Sequence, residues 1–371
     1  HLPALMLISP RILLADECHY AKNPKAKRTI SFLDLAKTPS IKSIIGLSGT
    51  PIINKPKEFF TMLHLLRPQD FANWKRFTER YCAGHYESIY VAGGHGAKKQ
   101  VWVCDGISNG QELSSKIKDV MIRRVKQDVL KELPPKHREF IPIEMPTAAK
   151  REYETIVESC YTGEQGDHLA AMNCARQWVG KYKADASCEL IDLYQMEKKP
   201  LLIFGHHHEV LDKINEYCQD KGYTCNRIDG SVTGEKRDKA VNDFQAGKVD
   251  IMILSAKAAG VGITLTRASD VLFLERMWTP ADEEQAEDRT HRPGQLGNVL
   301  IKYLYIPDTV DDMMNELIEI KRSILHTVLN TGKLIAEGTA AVHVLHREGR
   351  SRQDVDRVCD RSGIGTGRQD G

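Results

Sequence analysis

Three side chains late in the sequence have the types and spacing to hold phosphate oxygens. They lie in Gln285-Ala-Glu-Asp-Arg289-Thr-His-Arg292-Pro-Gly-Gln295. Gln285, Arg289 and Arg292 fall at i, i+4 and i+7, which on a helix puts one amide and two guanidiniums on a single face. Each guanidinium can donate two parallel, charge-assisted hydrogen bonds, so two on a rigid face suit a cluster of anionic oxygens. A second group is Asp16-Glu17, directly after the apolar run Ile12–Ala15. In such a pair one carboxylate can hold Mg²⁺ while the other orients or deprotonates an attacking water. Taken singly, the plain readings of these stretches are a solvated basic helix face and a polar loop.

The elements that must position these groups are readable nearby. Thr279, Pro280 and Asp282 read as a helix start, with a capping hydroxyl, a proline at the first helical position and an acid in the first turn. Pro293-Gly294 is expected to stop that helix. Ile12–Ala15 fits a buried strand, and open α/β sheets bind ligands at the carboxyl ends of their strands. Ser43–Leu47 reads as the next strand and runs into Ser48-Gly49-Thr50-Pro51, where small hydroxyl residues permit close approach between loops. Lys22, Lys25, Lys27 and Arg28 lead into a helical stretch near Ala26–Ala36 and suit either backbone phosphates or solvent. Helical patterns cover about Pro56–Leu66 and Phe71–Tyr81, and a hairpin with a loose tip is expected around Gly93–Gly96. Its aromatic residues Tyr86, Tyr90 and Trp102 suit packing beneath the hairpin better than stacking on bases. Ile117–Leu130 reads as an amphipathic helix carrying Arg123, Arg124 and Lys126, ended by Pro134-Pro135. Ile141–Met145 reads as extended, and residues 148–198 as helix with a polar break at Gly163–Gly166.

Beyond residue 200 the pattern becomes regular. Strands at Leu201–Phe204, Cys225–Ile228, Asp250–Leu254, Asp270–Glu275 and Val299–Ile306 alternate with helices at Glu209–Lys221, Gly234–Gln245, the arginine stretch and Thr309–Leu329. Such alternation predicts an α/β fold with a parallel sheet and right-handed crossovers. Ala259-Gly260-Val261-Gly262 is a small-residue loop suited to backbone approach to phosphate or ribose. His206-His207-His208 cannot all face one point, which argues against a metal site. From Glu337 the periodicity fades and a disordered tail is expected.

The 371 residues are enough for two domains, and 41% apolar with 27% charged residues is an ordinary globular composition. A net charge of +2 gives no global argument for nucleic acid, so local clusters must supply it. Nine scattered cysteines without a Cys-x-x-Cys pair favour reduced thiols in an intracellular compartment. No apolar run reaches membrane-spanning length, so no membrane partner is expected.

In order along the chain stand Asp16-Glu17-Cys18-His19, Leu47-Ser-Gly-Thr-Pro51, Arg123–Leu130 with Leu133-Pro-Pro-Lys136, Arg227-Ile-Asp-Gly-Ser231, Leu254–Gly262 and His291-Arg-Pro-Gly-Gln295. This ordered set closely resembles the SWI/SNF-type DNA-translocase family of helicase superfamily two, over roughly residues 10 to 330. Arg80-Tyr-Cys82, Trp102–Asp105 and Met121-Ile-Arg-Arg124 further resemble its annealing-helicase (HARP-like) branch, although the hairpin insert is longer here. The resemblance implies two RecA-like lobes. Residues 1–147 would be a first lobe shortened at its N-terminus with a hairpin insert at 84–110, 148–198 a helical connector, 199–336 the second lobe and 337–371 the tail. It implies ATP and Mg²⁺ in the cleft of those lobes, with Asp16 on the metal and Glu17 positioning water. Arg289 and Arg292 would reach the γ-phosphate beside Gln285, Gly260 and Gly262 would line the cleft, and Ser48 and Thr50 would couple nucleotide to DNA. Lys22, Asn23, Ser231 and Lys257 would meet nucleic acid, a duplex or forked DNA held with little sequence preference.

One departure bears on activity. The phosphate-cradling pattern Gly-x-x-x-x-Gly-Lys-[Ser/Thr] is absent, and Gly332-Lys333 is followed by Leu334. In the family that loop lies upstream of the paired acids, so these residues alone are expected to hydrolyse ATP poorly while the parent protein is a DNA-stimulated ATPase. A DNA-binding scaffold without nucleotide chemistry, and an RNA helicase of the same superfamily, are the rival readings.

Overall fold

Short apolar runs and amphipathic helices alternate along the chain as the hydrophobic spacing predicts, and they assemble into two compact units. One comprises His1–Val129 with Ile320–Gly371, the other Leu130–Glu319. The computed structural model describes residues 2–90, 98–160, 167–255, 262–329 and 341–348.

The first unit begins with α1 (Leu2–Leu7) and β1 (Ile12–Ala15). A 3-10 turn at Cys18–Lys22 leads to α2 (Lys27–Ala36), and β2 (Ser43–Ser48) returns parallel to β1 with Ala15 opposite Gly46. After a 3-10 turn at Pro56–Phe59 come α3 (Phe60–Leu66), all of whose residues are buried, and α4 (Trp74–Tyr81). The Asn73 side chain caps α4 by accepting from the Arg76 amide at 3.0 Å. β3 (His85–Tyr90) and β4 (Lys98–Val103) pair as the expected antiparallel hairpin, whose tip lies outside the described residues. Trp102 packs at its base, its Nε1 donating to Thr78 Oγ1 at 3.1 Å.

α5 (Gly110–Ile117), β5 (Met121–Val125) and α6 (Lys126–Val129) complete this stretch. The single helix expected over 117–130 is therefore corrected. Ile122 and Val125 are β-branched, and sheet pairing outweighs the helical spacing of so short a run.

The second unit starts with β6 (Lys136–Pro142), followed by α7 (Thr147–Cys160), α8 (Asp167–Ala186) and α9 (Cys188–Met196). β7 (Leu201–Gly205), α10 (His208–Asp220), β8 (Cys225–Ile228), α11 (Glu235–Gln245) and β9 (Ile251–Ser255) come next. β10 (Asp270–Phe273), α12 (Pro280–Glu287) and β11 (Val299–Tyr305) follow, and α13 (Val310–Leu329) belongs to this unit up to Glu319 and to the first from Ile320. All six strands run parallel in the order β6-β11-β10-β7-β9-β8. Every residue of β7 and β9 is buried, as parallel strands covered on both faces require. The unit boundary falls at Val129/Leu130 and not at 147, because β6 hydrogen-bonds along β11 from Lys136 opposite Val299 to Pro142 opposite Tyr305. A disulfide, Cys160–Cys174, joins α7 to α8, against the expectation of reduced thiols throughout. Cys18, Cys82, Cys104, Cys188, Cys218 and Cys225 are free thiols.

The last strand, β12 (Ala341–Glu348), lies in the stretch expected to be a disordered tail and pairs antiparallel with both β2 and β5. The sheet order of the first unit is β1-β2-β12-β5, which leaves β1 at an edge. The expectation that β1 is buried is corrected accordingly: Ile12 is 61% exposed and Leu14 57%.

A buried ion cluster ties three elements of the second unit together. The Glu287 carboxylate at the end of α12 is fully buried and accepts four hydrogen bonds. Arg138 donates from Nε at 2.7 Å and Nη2 at 2.8 Å, Lys136 from Nζ at 2.7 Å and Tyr303 from its hydroxyl at 2.8 Å. Burial pushes this carboxyl up, but the two cations and their hydrogen bonds outweigh it and hold it well below the usual carboxylate range. Replacing Glu287 by Ala leaves two buried cations without their anion, and should cost about 3–5 kcal/mol in a denaturant titration. A depressed carboxyl gives stability that is present above its unfolded value of 4.5 and lost as pH falls below it. Unfolding midpoints measured from neutral pH downward should fall below that value, with a shallower slope for Glu287→Gln.

Candidate functional site

In the first unit the groups singled out by sequence gather at the carboxyl ends of β1 and β2. Gly46 permits this approach, since a Cβ there would stand 2.9 Å from Cys18 Sγ and 3.1 Å from Met62 Cε. Asp16 is exposed and its Oδ1 accepts from the Glu17 amide at 2.9 Å. Glu17 has φ 48° and ψ 46°, a left-handed conformation that costs a non-glycine residue roughly 1 kcal/mol or more and turns its side chain out of the strand path. Its Oε2 lies 3.1 Å from His19 Nδ1. The same nitrogen is 2.8 Å from Ser48 Oγ, and Ser48 Oγ accepts from the Thr50 amide at 3.0 Å. A continuous polar path thus runs from the second acid, through a histidine, to the two hydroxyl residues at the end of β2.

His19 is the member of this path whose role the residue pattern alone did not reveal. It is only 6% exposed, and burial, followed by the nearby Lys22 charge, pushes its imidazole down to about 4. It is therefore neutral across physiological pH. A neutral ring either donates from Nδ1 or accepts there, so it can serve Glu17 as donor or Ser48 as acceptor. The adjacent cationic cluster is divided. Lys22 Nζ donates to Glu58 Oε1 at 3.3 Å, and Arg28 lies over the Tyr20 ring at 5.1 Å. Asn23 is exposed and its Oδ1 accepts from the Lys25 amide at 3.0 Å, while Lys25 and Lys27 are exposed.

In the second unit the arginine stretch departs from its expected form. Thr279 caps α12 as its spacing predicts: Oγ1 accepts from the Asp282 amide at 3.1 Å and donates to Asp282 Oδ2 at 2.6 Å. The helix ends at Glu287, well before Pro293-Gly294, so Gln285 alone of the three side chains is helical. Arg289 and Arg292 stand in the turns that follow. The reason is local: Gln295 donates from Nε2 to Ala268 O at 2.8 Å and to Thr290 O at 3.3 Å, Thr290 Oγ1 also donates to Ala268 O, and these bonds fold the chain back. From outside, His291 Nε2 donates to Pro134 O at 2.9 Å, and Lys136 and Arg138 hold Glu287. The segment Leu133-Pro-Pro-Lys136 thereby clasps the arginine turn.

That turn also meets the residues that follow Gly262. The Leu265 amide donates to Arg289 O at 2.8 Å, and Arg292 Nη1 donates to Thr264 Oγ1 at 3.0 Å. Arg292 Nε donates to Asp288 O at 2.8 Å, so two of its five N–H donors fix its direction on a half-exposed side chain. Arg289 is buried, at 3% exposure. Gly262 is exposed, and a Cβ there would meet nothing within 4 Å. Gly260 and Lys257 lie outside the described residues. Ser231 is exposed just past β8, its amide and hydroxyl both donating to Asp229 Oδ1, at 2.9 and 2.5 Å.

A further group at the carboxyl ends of β7 and β10 was missed. Glu275, 3% exposed, accepts from the His206 and His207 amides at 2.7 and 2.9 Å and lies 2.5 Å from His207 Nδ1. His206 and His207 thus serve a buried carboxylate, while His208 Nδ1 lies 3.2 Å from Arg227 Nη2, and the only sequence sign was an acid ending an apolar strand. Among the described residues no cluster of three or more His, Cys, Asp or Glu side chains could hold a metal by itself. A Mg²⁺ at Asp16 would draw its remaining oxygens from phosphate and water, which is how this ion is ordinarily held. The exposed Asp16 carboxylate fits that use. Among the described residues no helix is long and apolar enough to cross a membrane.

Comparison with known proteins matches residues 5–190 to the SNF2-related domain and residues 182–294 to the helicase conserved C-terminal domain. The mouse "DNA annealing helicase and endonuclease ZRANB3" is 35% identical over 341 residues, 90% of this chain and 31% of the relative. The Caenorhabditis elegans homologue of "SWI/SNF-related matrix-associated actin-dependent regulator of chromatin subfamily A-like protein 1" is 35% identical over 336 residues, 86% of this chain and 46% of the relative. The chain thus spans 31% and 46% of the length of these two relatives. A solved structure of the C-terminal part of the Fun30 ATPase domain aligns over 61% of the chain at 18% identity and a TM-score of 0.43. Both matched domains are RecA-like α/β domains, and the family and fold expected from the ordered motifs agree with them. The chain belongs to the SNF2-related, SWI/SNF-type family of helicase superfamily two.

Proposed function

We propose that this chain is the motor part of an ATP-dependent DNA translocase of the annealing-helicase kind, acting on duplex or forked DNA. The observation that carries the reading is the arginine turn, held by Pro134, Lys136 and Arg138 on one side and by Thr264 and Leu265 on the other. Such a turn holds two guanidiniums in place before any ligand arrives, and preorganised donors act where charge develops in a transition state. ATP with Mg²⁺ supplies the phosphoryl group. Asp16 holds the metal, Glu17 orients the attacking water, and Arg289 and Arg292 neutralise charge on the γ-phosphate, with Gln285 beside them. Gly260 and Gly262 line the nucleotide cleft in this reading.

The path from Glu17 through His19 to Ser48 and Thr50 is the coupling device in this reading. It joins the water-orienting acid to a strand end whose loop can respond to DNA. Lys22, Asn23, Ser231 and Lys257 contact the nucleic-acid backbone, so binding weakens steeply with salt and varies little with sequence. The protein works inside the cell, in the nucleus if eukaryotic and in the cytoplasm or nucleoid if bacterial or phage.

The test is ATP turnover by the full-length protein with and without duplex DNA. Arg292→Ala should lower DNA-stimulated turnover by roughly 10³-fold, and Arg292→Lys should not restore it, because a point charge lacks the guanidinium fork. Stimulation by duplex RNA equal to that by duplex DNA would favour an RNA helicase. DNA binding with no turnover in the full-length protein would favour a scaffold. These 371 residues alone should stay near background, since no Gly-x-x-x-x-Gly-Lys-[Ser/Thr] loop occurs among them. Strong DNA-stimulated turnover from them, lost in Arg292→Ala, would refute that expectation. His19→Ala should reduce the DNA stimulation about tenfold, the size of an ordinary coupling energy, with an unchanged thermal melt. Because the imidazole stays neutral above about pH 4, the stimulation should show no inflection from His19 across neutral pH.

A further inference from the structure

Two aromatic side chains on one face of the β3–β4 hairpin are placed very differently. Trp102 packs against α4. Its Nε1 donates to the Oγ1 of buried Thr78 at 3.1 Å, and Gly84 gives the indole room, since a Cβ there would stand 2.5 Å from Trp102 Cζ2. Tyr86 sits directly opposite Trp102 in the hairpin register, with ring centroids 4.9 Å apart and planes at 72°. Yet Tyr86 is 58% exposed, against the expectation that it packs beneath the hairpin. The strands around it, His85–Ile89 and Lys98–Gln100, are exposed throughout.

The exposed ring is nevertheless held. Lys75 of α4 donates from Nζ to the Tyr86 hydroxyl at 3.1 Å, and the same ammonium lies 4.9 Å from the Tyr86 centroid and 5.2 Å from that of Trp102. The ring is therefore oriented before a partner arrives, while more than half of its surface stays open to solvent. The charges around it have one sign. Lys75 and Arg76 stand in the first turn of α4, which carries no acid, although a helix N-terminus disfavours cations. On the Tyr86 face the register adds Ser88, Gln100 and Lys98, with Gln100 Nε2 donating to Ser88 Oγ at 2.6 Å. Glu87, the one acid in the two strands, falls on the opposite face.

We propose that this face of the hairpin binds an unpaired nucleotide of single-stranded DNA. The base stacks on the Tyr86 ring, and the adjoining phosphate meets Lys75, whose ammonium has three donors and gives one to Tyr86. An aromatic ring beside cations and neutral polar groups, with no carboxylate on its face, complements a planar base joined to an anion. A duplex keeps its base faces stacked inside, so the site distinguishes unpaired strands from paired ones. Forked DNA offers such strands at its junction. The choice of DNA rests on the motor reading above, whereas the stacking itself does not depend on ATP chemistry.

The experiment uses the full-length protein and follows, by anisotropy without nucleotide, binding of a labelled oligothymidylate and of a blunt duplex of equal length. Tyr86→Ala should weaken binding of the single strand about tenfold, the size of one base–aromatic stack, and leave the duplex unchanged. Tyr86→Phe keeps the ring and should bind nearly as well as the unsubstituted protein. Lys75→Gln should lower the salt slope for the single strand by about 0.7, the share of one phosphate. A fluorescent base analogue in the strand should be quenched on binding, and Tyr86→Ala should abolish the quench. Unchanged single-strand binding in Tyr86→Ala, an equal loss for strand and duplex, or a Tyr86 requirement seen only with an RNA strand overturns the proposal. Binding of polyglutamate that depends on Tyr86 as strongly as the strand does also overturns it, in favour of an acidic protein segment. The quench in the unsubstituted protein decides the question even if Tyr86→Ala does not fold. The motor reading fails separately: Tyr86→Ala should keep the turnover stimulated by blunt duplex, and a full-length protein without turnover refutes the motor while the single-strand result stands.

Discussion

A single buried carboxylate governs the geometry on which the second unit's chemistry rests. Glu287 sits where α12 ends, and its oxygens are saturated by Lys136 and Arg138 of β6 and Tyr303 of β11. An ionised group with no exposure is tolerated only when paired and fully hydrogen-bonded. The chain must therefore stop spiralling near this residue and present its backbone to neighbours fixed in advance. Asp288 to Gln295 then adopt a shape determined from two sides, and the guanidiniums inherit it. The cations that perform this task lie in a different motif from the arginines they position, so the two stretches form one structural object.

The first unit solves its positioning problem with smaller parts. Parallel pairing of β1 with β2 places Ala15 opposite Gly46, so the residues after each strand emerge side by side. The absence of a Cβ at Gly46 gives Cys18 its place, and Cys18 in turn seats the short turn that carries His19. The left-handed backbone at Glu17 is a local cost borne at a site of proposed chemistry, where strain of this kind is often retained.

Much of this was legible in the residues themselves. Short strands alternating with helices beyond residue 200 gave the parallel sheet, and Thr279-Pro280 with Asp282 gave the start and cap of α12. These features depend on local spacing and on side-chain-to-backbone bonds a few residues long. What stayed hidden depends on distant partners. The helical spacing of Arg289 and Arg292 was misleading because bonds from Gln295 and Thr290 to Ala268 override propensity. β5 resembled a helix because its partner, β12, lies more than two hundred residues away. His19 stood in plain view, yet its role needed Ser48, 29 residues on, to become visible.

The pairing of β6 with β11 also has a kinetic meaning. Lys136 and Arg138 lie 151 and 149 residues ahead of the glutamate they hold. Closing so long a loop costs entropy that nearby contacts do not repay, and native structure dominated by such contacts forms slowly. During synthesis, β6 leaves the ribosome long before β11 exists and must wait as an unpaired strand. The turn that carries Arg289 and Arg292 thus takes its shape late in folding, after β6 has closed against β11.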